Sequence, residues 1–265
     1  MSLEFTVVDA FTSNPFSGNP AAVCILDEAI SDDLMQRIAL EINLSETAFL
    51  YSEGIGFRLR WFTPKAEVKL CGHGTLASAH ALWEQRAKDL REIEFYTLSG
   101  TLIASKEGDD IKLNFPIEPV IEADLPAELL KAIGVIPIFT GKTDVRYFVE
   151  LPTANDVRNL SPDLARISQY HPGRIIVTAQ SDAPEFDFIS RYFAPGIGIP
   201  EDPVTGSAHC ALAEYWSRKL VKNEFSAYQA SSRGGALKIK LNDKRVDLLG
   251  KAVTVFRGKF AINLS

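Results

Sequence analysis

A chain of 265 residues with 46% hydrophobic and 23% charged residues has the composition of a globular protein. At this size roughly three quarters of the unfolded surface can be buried, in one large domain or two small ones. A net charge of −6 with scattered rather than striped lysines and arginines leaves no footprint for a polyanion, so nucleic acid is not expected as a partner.

The start, MSLEFTVVDAFTSNP, lacks a basic region followed by an apolar stretch and a small-residue cleavage site. No apolar run approaches the roughly 20 residues of a membrane span, so a cytoplasmic protein with no membrane partner is expected. FTVVDAF and AAVCIL read as strands joined by the polar loop TSNPFSGNP, whose Gly and Asn-Pro pairs are turn chemistry. A helix follows, with Ser31 as N-cap, Asp32 and Asp33 at the positive end of its dipole, and Leu34, Ile38 and Ile42 along one face. NLSETAFLY leaves that helix for a strand, which puts Glu46 at the junction. IEFYTL, TLIASK and IKLNFP read as a meander, and PIEPVIEADLP, dense in proline and acid, as a linker.

In the second half AELLKAIG is a short helix stopped by Gly134, and SPDLARISQYHPG another, with a Ser161 cap and Pro162 in its first turn. VRYFVEL, RIIVTAQ, FDFISRYF, ALKIKL, RVDLLG and AVTVFRG are strands. Many short strands and few helices predict an α+β fold. The three cysteines, Cys24, Cys71 and Cys210, have no CxxC spacing, which predicts free thiols rather than disulfides or a structural zinc site.

An internal repeat organises the chain. Phe57-Arg-Leu-Arg60-Trp-Phe-Thr-Pro64 is echoed by Phe188-Ile-Ser-Arg191-Tyr-Phe-Ala-Pro195. Each copy is followed by a Gly-hydroxyl pair, Gly74-Thr75 or Gly206-Ser207, and then by a helix that is small or apolar almost all round. A helix without a wide polar face is buried on most sides. Two pseudo-symmetric lobes from a duplication are therefore expected, each with its sheet wrapped around a central helix.

The chemistry concentrates at the two helix mouths. Free N–H groups and the macrodipole at a helix N-terminus favour an anion, so the turns at Thr75 and Ser207 read either as plain N-caps or as paired anion sites facing one inter-lobe cleft. Cys71 reads as a thiol of depressed pKa or as a small buried apolar residue, and His73 as a proton carrier or a hydrogen-bonding wall. His80 and His209 read as core or supporting residues. Cys71, His73, His209 and Cys210 lack any standard ligand spacing, so no metal is expected. Glu46, flanked by Leu44, Ala48 and Phe49, is either a solvated charge or a partly desolvated carboxylate of raised pKa.

VDAFTSNPFSGNPAAVC, NLSETAFL, RWFTPKAEVKLCGHGTLASAHAL and EDPVTGSAHCALAEY together resemble the PhzF-like family, within the diaminopimelate epimerase superfamily. The resemblance implies two similar lobes, each a sheet rolled around a helix, with the active site between them and the last strand returning to the first lobe. It implies residues 1–116 plus about 252–265 as the first lobe and 117–251 as the second. Glu46 matches the family's catalytic carboxylate, His73 and Asp202 the residues that position substrate and assist transfer, and Ser207 a residue that helps hold it. Asn19, Cys71, Gly72, Gly74, Thr75 and Gly206 complete the expected substrate-binding set. No metal or organic cofactor is implied, and a homodimer is.

One departure steers the expectation. Superfamily epimerases use two facing thiols, one at the position of Cys71, but the second mouth here reads Asp-Pro-Val-Thr-Gly-Ser, with Asp202 standing where a second thiol is expected. The expected activity is a cofactor-independent isomerisation, with Glu46 moving a proton on a small carboxylate-bearing substrate. The alternatives are thiol chemistry by Cys71 and His73, and a non-catalytic small-molecule binder of the same fold.

Overall fold

The computed structural model describes residues 3–261, and the chain divides into two compact units, Met1–Asn114 with Leu249–Ser265, and Phe115–Leu248. The first unit begins with β1 (Glu4–Ala10), β2 (Asn19–Ile25), α1 (Asp32–Ile42), β3 (Glu46–Glu53), β4 (Gly56–Phe62) and β5 (Glu67–Val68). It continues through α2 (Gly72–Gln85), β6 (Glu92–Thr97), β7 (Gly100–Glu107) and β8 (Asp110–Pro116). The second unit opens with β9 (Ile121–Glu122), α3 (Ala127–Ile133), β10 (Phe139–Lys142), β11 (Tyr147–Glu150), α4 (Ala154–Arg158) and α5 (Leu164–Ser168). β12 (Ile175–Gln180), β13 (Phe188–Ala194), β14 (Ile199–Asp202), α6 (Gly206–Leu220), β15 (Glu224–Gln229), β16 (Gly235–Asn242) and β17 (Arg245–Gly250) follow. β18 (Ala252–Lys259) then pairs antiparallel with β1. The expected last strand ran to 265; residues 262–265 lie outside the described residues.

The duplication is written in the strand pairing. In the first unit β1–β2 is antiparallel, β2–β3 parallel, β3–β4 antiparallel, β4–β6 parallel and β6–β7 antiparallel. In the second, β10–β11, β11–β12, β12–β13, β13–β15 and β15–β16 run through the same alternation. The short strands β5 and β14 hang on the edges of β4 and β13 just before each central helix.

The repeated arginine has a structural task in both copies. Arg60 grips Glu67 with Nε and Nη2 at 2.7 and 2.8 Å, and Arg191 grips Glu201 at 2.7 and 2.9 Å. Such bidentate forks fix geometry as well as adding energy. Alternate residues of a strand share a face, so each guanidinium also covers the phenylalanine two positions on, Phe62 at 5.1 Å and Phe193 at 4.8 Å. The fork ties the loop into α2 or α6 back onto its sheet.

Each central helix is buried as its composition demands. His73–Ala79 and Ala81–Trp83 of α2 are buried, as are Ala208–Ala213, Tyr215 and Trp216 of α6. Trp216 stacks on Phe188 at 5.5 Å with nearly parallel rings, and its Nε1 donates to Thr178 Oγ1 at 3.1 Å. Gly18 is required by its surroundings: it sits at φ +66, and a Cβ there would lie 2.2 Å from the Ala10 carbonyl.

Three local expectations are corrected. The segment 116–126 is no free linker, because β9 pairs with β10 and Val120 and Leu125 are buried in the second unit. Asp163, not Ser161, caps α5, accepting from the Arg166 N–H. Helix α4 is an addition, held by a capping box in which Thr153 and Asp156 satisfy each other's backbone.

Candidate active site

The parallel pairing of β2 with β3 brings their N-terminal ends to one edge of the first unit, with Ala21 opposite Glu46. Helix α2 begins at the same place. Asn19 starts β2, Glu46 starts β3, and Cys71 is the N-cap of α2, so Asn19, Glu46, Cys71 and His73 form one cluster. His73 is its hub. Asn19 Nδ2 is 3.1 Å from His73 Nδ1, Glu46 Oε2 is 3.1 Å from Nε2, and Ser45 Oγ is 3.4 Å from Nε2. Cys71 Sγ lies 3.6 Å from Nδ1 and accepts the Gly74 N–H at 3.3 Å.

An amide nitrogen donating to Nδ1 leaves the ring proton on Nε2, facing Glu46; the same amide turned over would accept from a doubly protonated ring. In both states Nε2 is protonated, 3.1 Å from Glu46 Oε2, which receives no aligned hydrogen bond.

Burial opposes an imidazolium at His73, but Cys71 and Glu46 outweigh it and hold the pKa well above the ordinary 6.5. Burial also works to raise Glu46, yet His73 and Ser45 prevail and keep it below the usual 4.5. The expected raised pKa of Glu46 is thus corrected: the partner it lacked in the sequence is His73. The expected low pKa of Cys71 is corrected too, since burial and then the Glu46 charge push the thiol up. The close charged pair is Glu46 with His73, Oε2 to Nε2 at 3.1 Å.

Gly72 carries His73 into the helix mouth. Thr75 turns inward, its hydroxyl donating to the Cys71 carbonyl at 2.6 Å, so it closes the first turn instead of capping it. Gly74 is required by packing: a Cβ there would meet Trp61 Cδ1 at 2.8 Å and Cys71 Sγ at 2.9 Å. Gly74→Ala is expected to destabilise the protein by about 1–3 kcal/mol through overpacking, read by denaturant unfolding.

In the second unit Asp202, Thr205, Gly206 and Ser207 come together at the mouth of α6. Thr205 is the N-cap; its hydroxyl donates to Asp202 Oδ2 at 2.5 Å and its N–H to Gln229 Oε1 at 2.8 Å. Glu67 and Glu201 each stand four residues before their helix cap, which sets the match between the copies. Cys71 corresponds to Thr205, Gly72 to Gly206, and His73 to Ser207. The expected pairing of Gly74-Thr75 with Gly206-Ser207 was two residues out of register. The residue standing where a second thiol is expected is Thr205, and Asp202 is its hydrogen-bond partner.

Thr75 corresponds to His209, whose Nδ1 donates to the Thr205 carbonyl at 2.9 Å as Thr75 does to Cys71. Burial lowers His209 to about 4, so the folded state carries it neutral. Below pH 6.5 the unfolded chain takes up the proton and the folded chain does not, so stability falls as pH drops from 6.5 toward 4. The loss expected by pH 4 is about 3 kcal/mol, and His209→Gln should flatten that part of the stability–pH curve.

The phenazine biosynthesis-like protein family matches residues 8–258 of this chain. The chain belongs to that family. An uncharacterized isomerase of Halalkalibacterium halodurans is 52% identical over 264 residues, covering 99% of this chain and 100% of the relative. A crystal structure of a PhzF-family phenazine biosynthesis protein from Enterococcus faecalis aligns with a TM-score of 0.95 at 38% identity, over 99% of this chain and 100% of that one. A probable proline racemase from Agrobacterium radiobacter, with bound carbonate, shares the fold at a TM-score of 0.65 and 10% identity, over 98% of this chain and 93% of that one. The fold is the α+β, two-lobed, diaminopimelate epimerase-like one, and the chain is an isomerase-type enzyme of its family.

Around the expected residues of each unit, several neighbours carry no sequence signal strong enough to mark them. Ser45 precedes Glu46 and reaches His73; Gln229 braces the Thr205 cap; Arg146, paired with Glu118, reaches Ser207. Among the described residues, Glu46, Cys71 and His73 form a group whose oxygen, sulfur and nitrogen atoms lie within 4.8 Å of one another. A divalent cation there would displace the thiol proton of Cys71 and the Nε2 proton of His73. No helix among the described residues is long and apolar enough to cross a membrane.

Proposed function

We propose that the protein is a cofactor-independent isomerase that removes and returns a proton on carbon in a small carboxylate-bearing substrate, with Glu46 as the acid/base. The observation that carries this reading is the Glu46–His73 pair, 3.1 Å apart and largely buried at the mouth of α2. A buried carboxylate alone would take up a proton and be no base. Beside His73 it stays ionised without leaving the low-dielectric site.

Glu46 takes the proton from a carbon next to the substrate carboxylate or along a conjugated system, and the electron pair left behind delocalises onto the substrate's oxygen. The first-turn N–H groups of α2, apart from that of Gly74, which Cys71 holds, stabilise that charge as fixed donors. Glu46 then returns the proton, to the other face or to another carbon. A homodimeric state is part of the proposal on the family resemblance alone.

A second reading has one observation in its favour. Glu46 supplies the third member that a Cys71–His73 thiol mechanism lacked in the sequence, giving a cysteine, a histidine and an orienting carboxylate in contact.

The pH profile of kcat/KM for deuterium exchange, measured in heavy water on a panel of amino and hydroxy acids, tests the proposal and separates the two. Proton transfer by Glu46 predicts a plateau across neutral pH. Its acid limb lies below the ordinary 4.5 of glutamate, and its alkaline fall, as His73 loses its proton, above 6.5. An activity that only rises with pH as the Cys71 thiol ionises would contradict it and favour thiol chemistry.

A further inference from the structure

The two duplicated helix mouths carry opposite chemistry. At the mouth of α2 the position matched to Ser207 is His73, set against a carboxylate; at the mouth of α6 Ser207 is set against an arginine. Arg146 directly precedes β11 and is only 6% exposed. Its Nη2 is 3.2 Å from Glu118 Oε2, Glu118 is held in turn by the Thr143 hydroxyl, and the guanidinium lies 5.4 Å over the Tyr192 ring. Both terminal nitrogens point at the Ser207 hydroxyl oxygen, at 3.4 and 3.5 Å, while the buried Nε has no acceptor. A buried cation with one carboxylate partner and an unmatched N–H is costly in a fold held together by satisfied polar groups.

A hydroxyl has two acceptor lone pairs and one proton. Arg146 has donors and no acceptor, so it occupies the acceptor side of Ser207 and turns the proton away from itself. The helix contributes only further donors, the N–H groups of its first turn, with its positive dipole end behind them.

We propose that Arg146 is a positioning residue that makes the Ser207 hydroxyl an obligate hydrogen-bond donor, so that the mouth of α6 takes a carboxylate and refuses an ammonium group. The inference rests on the proposed isomerase reading and deepens it.

Oxalate and methylammonium are the probes, titrated into the full chain labelled with nitrogen-15 and followed at the Gly206 and Ser207 amides. Oxalate is expected to shift both amides and methylammonium neither. Arg146→Lys, which keeps a charge opposite Glu118 and so protects folding, and Arg146→Gln are each expected to weaken oxalate about tenfold or more. In a chain already carrying Ser207→Ala, Arg146→Lys is expected to add less than about threefold, because its effect runs through the missing hydroxyl.

Folded Arg146 variants that bind oxalate as the unsubstituted chain does, a full additive loss in the double variant, or unshifted amides in the unsubstituted chain would each overturn the proposal. Oxalate binding that depends on Arg146, together with proton exchange indifferent to Glu46→Gln, would instead remove the isomerase reading and leave the anion subsite standing.

Discussion

Glu46→Gln is expected to lower kcat for substrate deuterium exchange by about a thousandfold while KM changes little. Gln is nearly isosteric and keeps an oxygen toward His73, so binding contacts persist; it cannot accept the proton from carbon. General acid–base groups contribute roughly 10²–10⁴ to rate, and a residue that acts only on the moving proton lowers kcat rather than raising KM. The substitution also removes the charge that supports His73. The histidine should therefore titrate lower in Glu46→Gln, which nuclear magnetic resonance of its ring protons can read independently of turnover.

Trp216→Ala is expected to cost about 3–5 kcal/mol of stability, the range for deleting a large buried aromatic. Trp216 is fully buried and packed face to face on Phe188. Its loss empties the centre of the second unit and removes the indole N–H from Thr178 Oγ1, which keeps only its own donation to the Ile189 carbonyl. Denaturant unfolding should show a shifted midpoint at nearly unchanged slope. A cost below about 1 kcal/mol would mean that α6 is not the centre of that unit's core.

Much of this architecture is legible in the sequence because duplication repeats its constraints. The F-x-x-R-[WY]-F-x-P motifs predict matched strands, and the structure adds why the arginine recurs: Glu67 and Glu201 receive it. The register of the two mouths is misjudged when Gly-hydroxyl pairs are matched. The spacing from each glutamate to its helix cap is the physical constraint, and it places His73 opposite Ser207. The proline- and acid-rich 116–126 segment looks like a linker because composition does not show that Val120 and Leu125 are buried. The capping box at Thr153 and Asp156 is a local signal, legible in principle.

The site divides in the same way. Glu46, Cys71 and His73 stand out through their setting and the resemblance, but the directions of their pKa shifts do not. Those depend on which charges share a buried space, and Glu46 and His73 are 27 positions apart in the chain. Arg146 is the extreme case: an isolated arginine before a strand carries no motif, and only its contact with Ser207 gives it a place.

The claim that Glu46, not Cys71, carries the proton is tested most directly by single turnover of substrate deuterated at the reacting carbon, in ordinary water, with Glu46→Gln and Cys71→Ala chains side by side. The account predicts that the Cys71→Ala chain still releases or transfers the label, whereas the Glu46→Gln chain leaves it on the original carbon. Label movement that survives in Glu46→Gln and stops in Cys71→Ala would contradict the account and assign the chemistry to the thiol.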